Sequence, residues 1–113
     1  MSCLFCRIAA GEIPASKVYE DDRLLAFNDI NQQAPMHVLV IPKRHIATLN
    51  DLAAGDDELV GAMVRTAAAI AKEKGHDGPG FRTVFNCNAQ AGQTVFHVHL
   101  HVLGGRTMTW PPG

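Results

Sequence analysis

Three histidines stand at alternate positions near the end of the chain, within the segment VFHVHLHVL from Val95 to Leu103. In a β-strand successive side chains point to opposite faces, so His97, His99 and His101 would share one face and the aliphatic residues between them the other. Imidazole can bind a metal, attack an electrophile or carry a proton near neutral pH. The spacing therefore predicts a strand with one buried, apolar face and one face left for chemistry.

The residues alone allow three interpretations of this row. One is a solvated strand face that happens to be rich in histidine. Another is a metal site, because histidines two positions apart can share one zinc ion. The first and third histidines would be about 13 Å apart in a straight strand, so all three could not easily share one ion. The third is a histidine nucleophile, since neutral imidazole is nucleophilic once a hydrogen bond fixes its other nitrogen.

The loop that precedes the histidines is rich in hydrogen-bond donors. NAQAGQT, residues 88–94, offers backbone amides made accessible by Gly92, the amide of Gln93 and the hydroxyl of Thr94. Such donors suit phosphate oxygens. A loop of this kind opening directly into a row of histidines favours a histidine nucleophile and phosphoryl chemistry.

The rest of the chain supplies the elements that would hold this strand. Residues 56–74 carry apolar side chains at three- and four-residue steps, with acids at the start and lysines at the end, which predicts a long helix. HVLVIP is a continuous apolar run typical of a central strand. We predict a single α+β domain over residues 1–113, with about five antiparallel strands. The predicted elements are a short N-terminal helix at 3–10, a hairpin at 17–29, a strand at 37–42, the long helix, a strand at 81–86 and the histidine strand.

The composition argues against two classes of partner. Of the 113 residues 47% are hydrophobic and 19% charged, and the formal net charge is −1. Neither sign of charge dominates, so we expect no binding to nucleic acid or to an anionic membrane surface. The chain shows no apolar run long enough for a membrane span and no secretory signal. Three cysteines are too few and too odd in number for a disulfide framework, which predicts a reducing, cytoplasmic location.

Longer segments around these motifs resemble the histidine-triad (HIT) superfamily. HVHLHVL matches its alternating pattern, and EIPASKVYEDDRLLAFNDINQQAPMHVLVIPKRHI and AGQTVFHVHLHVLGGRTMTWPPG are similar to the branch called histidine-triad nucleotide-binding proteins. The terminal GGR and WPPG favour that branch over the fragile-histidine-triad dinucleotide hydrolases. The resemblance implies a homodimer of a small α+β fold with an antiparallel sheet. It also implies hydrolysis of the P–N bond in purine nucleoside 5′-phosphoramidates, the amine adducts of AMP or GMP, through a nucleotidyl-histidine.

The resemblance assigns roles to individual residues. It makes His99 the nucleophile, has His101 contact the phosphate or help move a proton, and places His37 behind the active strand. The nucleotide contacts that it implies are Phe5, Ile8 and Phe27 around the purine, Asp29 and Ile30 at the ribose and base, and Asn86, Gly92, Gln93, Thr94 and His101 at the phosphate end. Plain core packing is the alternative for the three apolar residues around the purine.

The C-terminal tail has two interpretations. In the family the C-terminus reaches toward the partner subunit's site, so Trp110 would shape specificity across the dimer. Alternatively, Trp110 lies on a surface tail that the following prolines stiffen. The sequence leaves both open.

The segment CLFC resembles half of a zinc site. Related prokaryotic histidine-triad proteins, and galactose-1-phosphate uridylyltransferases, hold a structural zinc with such a cysteine pair and two histidines. The matching residues here are Cys3, Cys6, His45 and His97, a suitable tetrahedral zinc set. The resemblance implies one structural, non-catalytic zinc per chain. The alternative is two small apolar thiols that line the purine pocket.

Four functions compete at this point. The first is a purine nucleoside phosphoramidase. The second is a dinucleoside polyphosphate hydrolase, which would use the same nucleophile with a different leaving group. The third is a nucleotide-binding interaction protein whose catalysis is incidental, and the fourth is a metal-binding module.

Overall fold

A computed structural model describes residues 3–113 and shows an α+β arrangement of two helices and five strands. Three short 3-10 turns lie between them. In chain order the helices and strands are α1 (Leu4–Ala9), β1 (Lys17–Glu20), β2 (Leu24–Asn28), β3 (Met36–Pro42), α2 (Asp57–Glu73), β4 (Phe81–Phe85) and β5 (Leu100–Gly104). The predicted element types are confirmed.

The five strands form one antiparallel sheet in the order β1-β2-β3-β5-β4. β3 lies at the centre and is buried at every position, as its continuous apolar run predicts. β5 lies between β3 and β4, so that His101 stands opposite Leu39 on one side and Val84 on the other. The last histidine of the triad is therefore held in the interior of the sheet and not at an edge.

The two faces of the sheet have separate apolar clusters. On one face α2 packs through Met63, Ala67 and Ile70, the positions that helical spacing predicts. The aliphatic residues between and after the histidines belong to this cluster: Val98, Leu100 and Val102. On the opposite face α1 covers a smaller cluster made by Phe5, Ile8, Leu25, Phe27, Leu39 and Ile41. The α1 face is thus the side on which the histidines lie.

The long helix spans one residue less at each end than the predicted 56–74. Asp57 and Glu58 lie in its first turn and Lys72 in its last, which complements the helix dipole. Gly75 follows with φ of +83°, a conformation that glycine adopts without strain. Within residues 3–113 neither helix has the length and apolarity that crossing a bilayer requires.

The strand that carries the histidines is shorter than predicted. β5 begins at Leu100, so His97 lies at a bend and His99 in the irregular segment directly before the strand. The ladder stops because Pro42 has no N–H to donate, and its carbonyl accepts the ring N–H of His97 at 2.7 Å. The N–H of Val98 donates to the carbonyl of Ile46 instead, at 2.7 Å. The alternation of faces survives nevertheless: the ring of Phe5 in α1 meets both His97 and His99, whereas Val98 belongs to the cluster under α2.

Candidate active site

A pocket of about 380 Å³ opens on the α1 face of the sheet. It gathers most of the residues that the sequence predicts for catalysis and nucleotide binding. Those that line it are Phe5, Ile8, Phe27, Asp29, Ile30, Asn86, Gly92, Thr94, His99 and His101. Side chains from α1, β2 and β5 therefore meet the donor loop at one place.

Seven further residues line the pocket without having been predicted. They are Leu4, Pro14, Ala15, Ser16, Asn28, Leu39 and Val95. A signal existed for Leu4, which precedes Ile8 by one helical turn and so shares its face. Leu39 lines the pocket because it stands opposite His101 in the sheet. The sequence alone does not reveal this pairing.

His99 has one ring nitrogen fixed and one left for the pocket. Its Nδ1 lies 2.8 Å from the backbone carbonyl of His97. Because a carbonyl only accepts, Nδ1 must carry the proton, and Nε2 of the neutral ring keeps a free lone pair. The ring is 8% exposed, and the Phe5 ring meets it edge-on with centroids 5.1 Å apart. This is the arrangement that a histidine nucleophile needs.

His101 is set by a chain of hydrogen bonds that begins at a backbone amide. The N–H of Gln33 donates to Nδ1 of buried His37 at 3.0 Å, so the proton of His37 is on Nε2. That nitrogen lies 2.8 Å from Nδ1 of His101, which therefore accepts and leaves the proton of His101 on its own Nε2. His101 offers the pocket a donor, whereas His99 offers it a lone pair.

Burial keeps this pair of rings neutral. Desolvation, followed by the neighbouring His99 and His37, lowers the pKa of His101 to about 4. Desolvation also lowers the pKa of His37, although Asp29 opposes it. At neutral pH both rings are therefore uncharged, and each can act as donor and acceptor at once.

Asp29 is held beside this chain immediately after β2. Its backbone N–H donates to the carbonyl of His37 at 2.9 Å, and its Oδ1 accepts the N–H of Asn31 at 2.9 Å. Its Oδ2 lies 3.4 Å from Nε2 of His37. The side chain is 17% exposed and lines the pocket, so a ligand can still reach the carboxylate.

The side chain of Gln93 turns away from the pocket. Its side chain is buried, and its Oε1 accepts the N–H of Asn88 at 2.8 Å. Its Nε2 donates to the carbonyls of Ala47 and Val95, at 2.8 and 3.2 Å. The amide turns inward because it satisfies a backbone donor and backbone acceptors together, which few side chains can do. Gln93 thus shapes the loop, and the neighbouring Gly92 and Thr94 line the pocket.

A second cluster of ligating atoms lies at the start of the triad. Sγ of Cys3 and Sγ of Cys6 are 3.4 and 3.5 Å from Nδ1 of His97, and Nδ1 of His45 is 3.3 Å from both Cys6 Sγ and His97 Nδ1. Tetrahedral zinc with bonds of about 2.0–2.3 Å would separate its ligands by about 3.3–3.8 Å. The predicted ligands therefore fit one zinc ion in number, type and spacing.

The tautomer of His97 also suits a cation at this cluster. His97 donates from Nε2 to the carbonyl of Pro42, which leaves Nδ1 with a lone pair directed at the other three residues. Burial and the adjacent Cys3 raise the pKa of the Cys6 thiol to about 11. A metal ion would offset that effect, because it stabilises the thiolate.

Trp110 does not line the pocket of its own chain. It is 82% exposed, and the guanidinium of Arg82 lies 6.0 Å from its ring centroid. The same guanidinium donates to the carbonyl of Thr109 at 3.0 Å. The tail is therefore held against β4 while the indole faces outward.

Comparisons with other proteins agree with this geometry. A protein-family model described as "Scavenger mRNA decapping enzyme C-term binding" matches residues 2–110. The purine nucleoside phosphoramidase of Escherichia coli is 44% identical over 105 residues, which cover 93% of this chain and 88% of that protein. The crystal structure of a HIT family hydrolase from Legionella pneumophila superposes with a TM-score of 0.98 at 55% identity, covering 99% of this chain and 100% of that one.

A further solved structure carries a metal. It is a zinc-bound histidine triad family protein from Mycobacterium smegmatis, which superposes with a TM-score of 0.80 at 39% identity and covers 94% of this chain and 76% of that one. In both sequence and structure, these proteins resemble the chain over almost its whole length. The chain belongs to the histidine-triad (HIT) family of hydrolases.

Proposed function

We propose that the protein cleaves the P–N bond of purine nucleoside 5′-phosphoramidates through a nucleotidyl intermediate on His99. The observation that carries this proposal is the 2.8 Å hydrogen bond from Nδ1 of His99 to the carbonyl of His97, which leaves Nε2 as a nucleophile in the pocket. The 44% identity to a purine nucleoside phosphoramidase supports the substrate class.

The first step forms one bond and breaks another. The lone pair on Nε2 of His99 attacks the α-phosphorus, and the P–N bond of the substrate breaks. The phosphoramidate nitrogen takes up one proton from solvent before the bond breaks, so that it leaves as a neutral amine, because an amide ion would be a poor leaving group. The ring of His99 becomes positively charged, and the carbonyl of His97 stabilises that charge through the existing Nδ1–H bond.

The second step returns the enzyme to its starting form. Water attacks the phosphorus, the bond to Nε2 of His99 breaks, and the proton lost by water passes to solvent. In both steps negative charge grows on the phosphoryl oxygens. The Nε2–H of His101 is suited to stabilise that charge, since a donor set in place before the reaction needs no reorganisation.

The rest of the pocket suits the parts of a purine nucleotide. The apolar end would hold the base, with the ring of Phe5 packed edge-on against Phe27 at 5.5 Å between centroids. Asp29 would accept hydrogen bonds from the ribose hydroxyls. Backbone and side-chain donors would contact the phosphate, and the candidates that line the pocket are Asn86, Gly92 and Thr94.

We also propose that Cys3, Cys6, His45 and His97 hold one structural zinc ion per chain. The zinc-bound relative and the spacing of the four ligating atoms support this. The ion would anchor α1 to the end of β3 and take no part in the reaction. Elemental analysis of untagged protein, purified without chelator, should give about one zinc per chain.

The assembly and location are proposals of the same kind. We propose a homodimer, to which the free edge of β4 and the exposed Trp110 could contribute. Light scattering on the purified protein should give twice the mass of one chain. We propose the cytoplasm as the compartment, because paired thiols that bind zinc persist where the surroundings are reducing.

The test of the reaction is steady-state hydrolysis of adenosine 5′-phosphoramidate by the wild type and by His99→Ala. His76→Ala is a matched control, because His76 lies outside this pocket. We expect clear turnover by the wild type and the control, and a loss of at least about 10⁴-fold in His99→Ala. Equal turnover by His99→Ala would remove His99 as the nucleophile, and absence of turnover by the wild type would remove the proposed reaction.

A further inference from the structure

One proton in the site has two acceptors within reach. Nε2 of His37 carries that proton, because Nδ1 accepts from the backbone of Gln33. The nearer acceptor is Nδ1 of His101 at 2.8 Å, and the farther is Oδ2 of Asp29 at 3.4 Å. The imidazole is closer, but the carboxylate is charged and therefore the stronger acceptor. The two compete for a single N–H.

The outcome of this competition decides what His101 offers to the substrate. When His37 donates to Nδ1 of His101, the proton of His101 must lie on Nε2, which faces the pocket. If the N–H of His37 turned to Asp29, Nδ1 of His101 would lose the donor that fixes its tautomer. The pocket would then lose a fixed donor for the phosphoryl oxygens.

The position of Asp29 makes the competition sensitive to a ligand. Its Oδ1 and its backbone N–H are tied to Asn31 and His37, so the carboxylate cannot swing away. It remains partly exposed toward the pocket. Two hydroxyl groups on adjacent carbons would donate to this carboxylate and reduce its attraction for the proton of His37.

We propose that Asp29 is a positioning residue that couples the vicinal diol of the substrate, through His37, to the phosphate-facing N–H of His101. The inference rests on the proposed function and adds that the diol raises kcat and not only affinity. A ribonucleotide adduct would thus react faster than its dideoxy counterpart even when both saturate the enzyme.

The kinetic test compares adenosine 5′-phosphoramidate with its 2′,3′-dideoxy analogue. In the wild type we expect the dideoxy substrate to lower kcat about tenfold, a part of what one donor to a developing charge contributes. In Asp29→Asn the side chain keeps its shape but loses its charge, so the two values of kcat should agree within about twofold. Asp77→Asn, in the exposed loop after α2, should behave like the wild type.

Either of two kinetic results would overturn the coupling while leaving the phosphoramidase proposal intact. One is a dideoxy substrate that raises KM in the wild type with kcat unchanged. The other is a kcat ratio that is the same in Asp29→Asn as in the wild type.

A second readout does not depend on turnover. The ¹⁵N spectrum of the histidine rings shows which nitrogen of His101 carries a proton, with His101→Gln for assignment. Saturation with AMP should increase the Nε2–H form of His101, and saturation with 2′,3′-dideoxy-AMP should not. If neither phosphoramidate is hydrolysed, the proposed reaction fails and these spectra decide the coupling. Identical His101 spectra with the two nucleotides would overturn it.

Discussion

His97 and His99 are two residues apart, share a face and are both buried, yet they present opposite nitrogens to their surroundings. His97 donates from Nε2 to the carbonyl of Pro42 and turns Nδ1 toward the thiols of Cys3 and Cys6. His99 donates from Nδ1 to the carbonyl of His97 and leaves Nε2 to the pocket. The carbonyl that each ring meets therefore sets its role, because one hydrogen bond fixes the tautomer of the whole ring.

The two rings are also mechanically connected. His97, whose ring faces the thiols, supplies the carbonyl that orients the ring of His99, the proposed nucleophile. Phe5 lies on α1, and its ring contacts both imidazoles edge-on. A change that displaces α1 should therefore disturb the proposed metal site and the proposed nucleophile together.

The largest expected effect is on folding stability, which should fall much more in His97→Ala than in His99→Ala. His97→Ala removes one of the four proposed zinc ligands. If the site holds zinc at about a thousand times its Kd, the loss should cost about 4 kcal/mol, or about 15 °C in Tm. His99→Ala removes one hydrogen bond beside an open pocket and should cost about 1 kcal/mol. Calorimetry and zinc analysis of both variants check this, and an equal fall in Tm would contradict the division of roles.

A smaller effect is expected in the loop that leads into the histidines. Gln93→Ala leaves the N–H of Asn88 and the carbonyl of Ala47 without their partner, at a cost of about 2 kcal/mol. Gln90→Ala, exposed in the same loop, should change the free energy of unfolding by less than about 0.5 kcal/mol. Urea unfolding of both variants measures the difference. Equal values would mean that Gln93 does not hold the loop.

Phe5→Leu tests what the aromatic ring contributes to the pocket beside His99. The substitution nearly conserves volume but removes the edge-on contacts, so we expect AMP to bind about fivefold more weakly, equivalent to about 1 kcal/mol. Zinc content should stay unchanged, because the cysteines keep their positions. Phe96→Leu, which lies outside the pocket, is the control for calorimetric titration with AMP. Unchanged affinity in Phe5→Leu would show that the ring only fills space.

The last expected effect is a pH dependence of stability. Burial lowers the pKa of His101 to about 4, so between this value and the ordinary value of 6.5 the unfolded chain binds more protons than the folded one. Stability should therefore fall as the pH decreases from 7 to 5. In zinc-free protein, His101→Gln should show a shallower fall in Tm over this range than the wild type. An identical slope would mean that His101 is not protected from protonation.

Periodicity predicted the frame of the molecule well. Helical spacing placed α2 within one residue at each end, and the alternation of aliphatic and histidine residues predicted which of them face α2. These features are local, because side-chain direction follows from the backbone period. The length of the histidine strand was not predicted. The hydrogen-bond ladder between β3 and β5 reaches only to Leu100, because Pro42 on β3 has no N–H to donate.

The resemblance to a family predicted which residues meet, and the pocket contains most of them. It did not predict the inward turn of Gln93. That side chain reaches the carbonyl of Ala47, which lies 46 positions earlier in the chain. A contact of this kind depends on how two loops lie against each other, so the sequence of one loop does not predict it.

Amino-acid order alone was enough to predict three histidines on one face, four potential zinc ligands in the chain and an apolar core beneath them. The choice of ring nitrogen required folding. The partner of His97 lies 55 positions away and that of His101 lies 64 positions away. A neutral imidazole has two equivalent options until a fixed donor or acceptor meets one of its nitrogens. Only the assembled sheet brings those groups into contact, and this contact decides which nitrogen of each ring keeps a lone pair and which carries the proton.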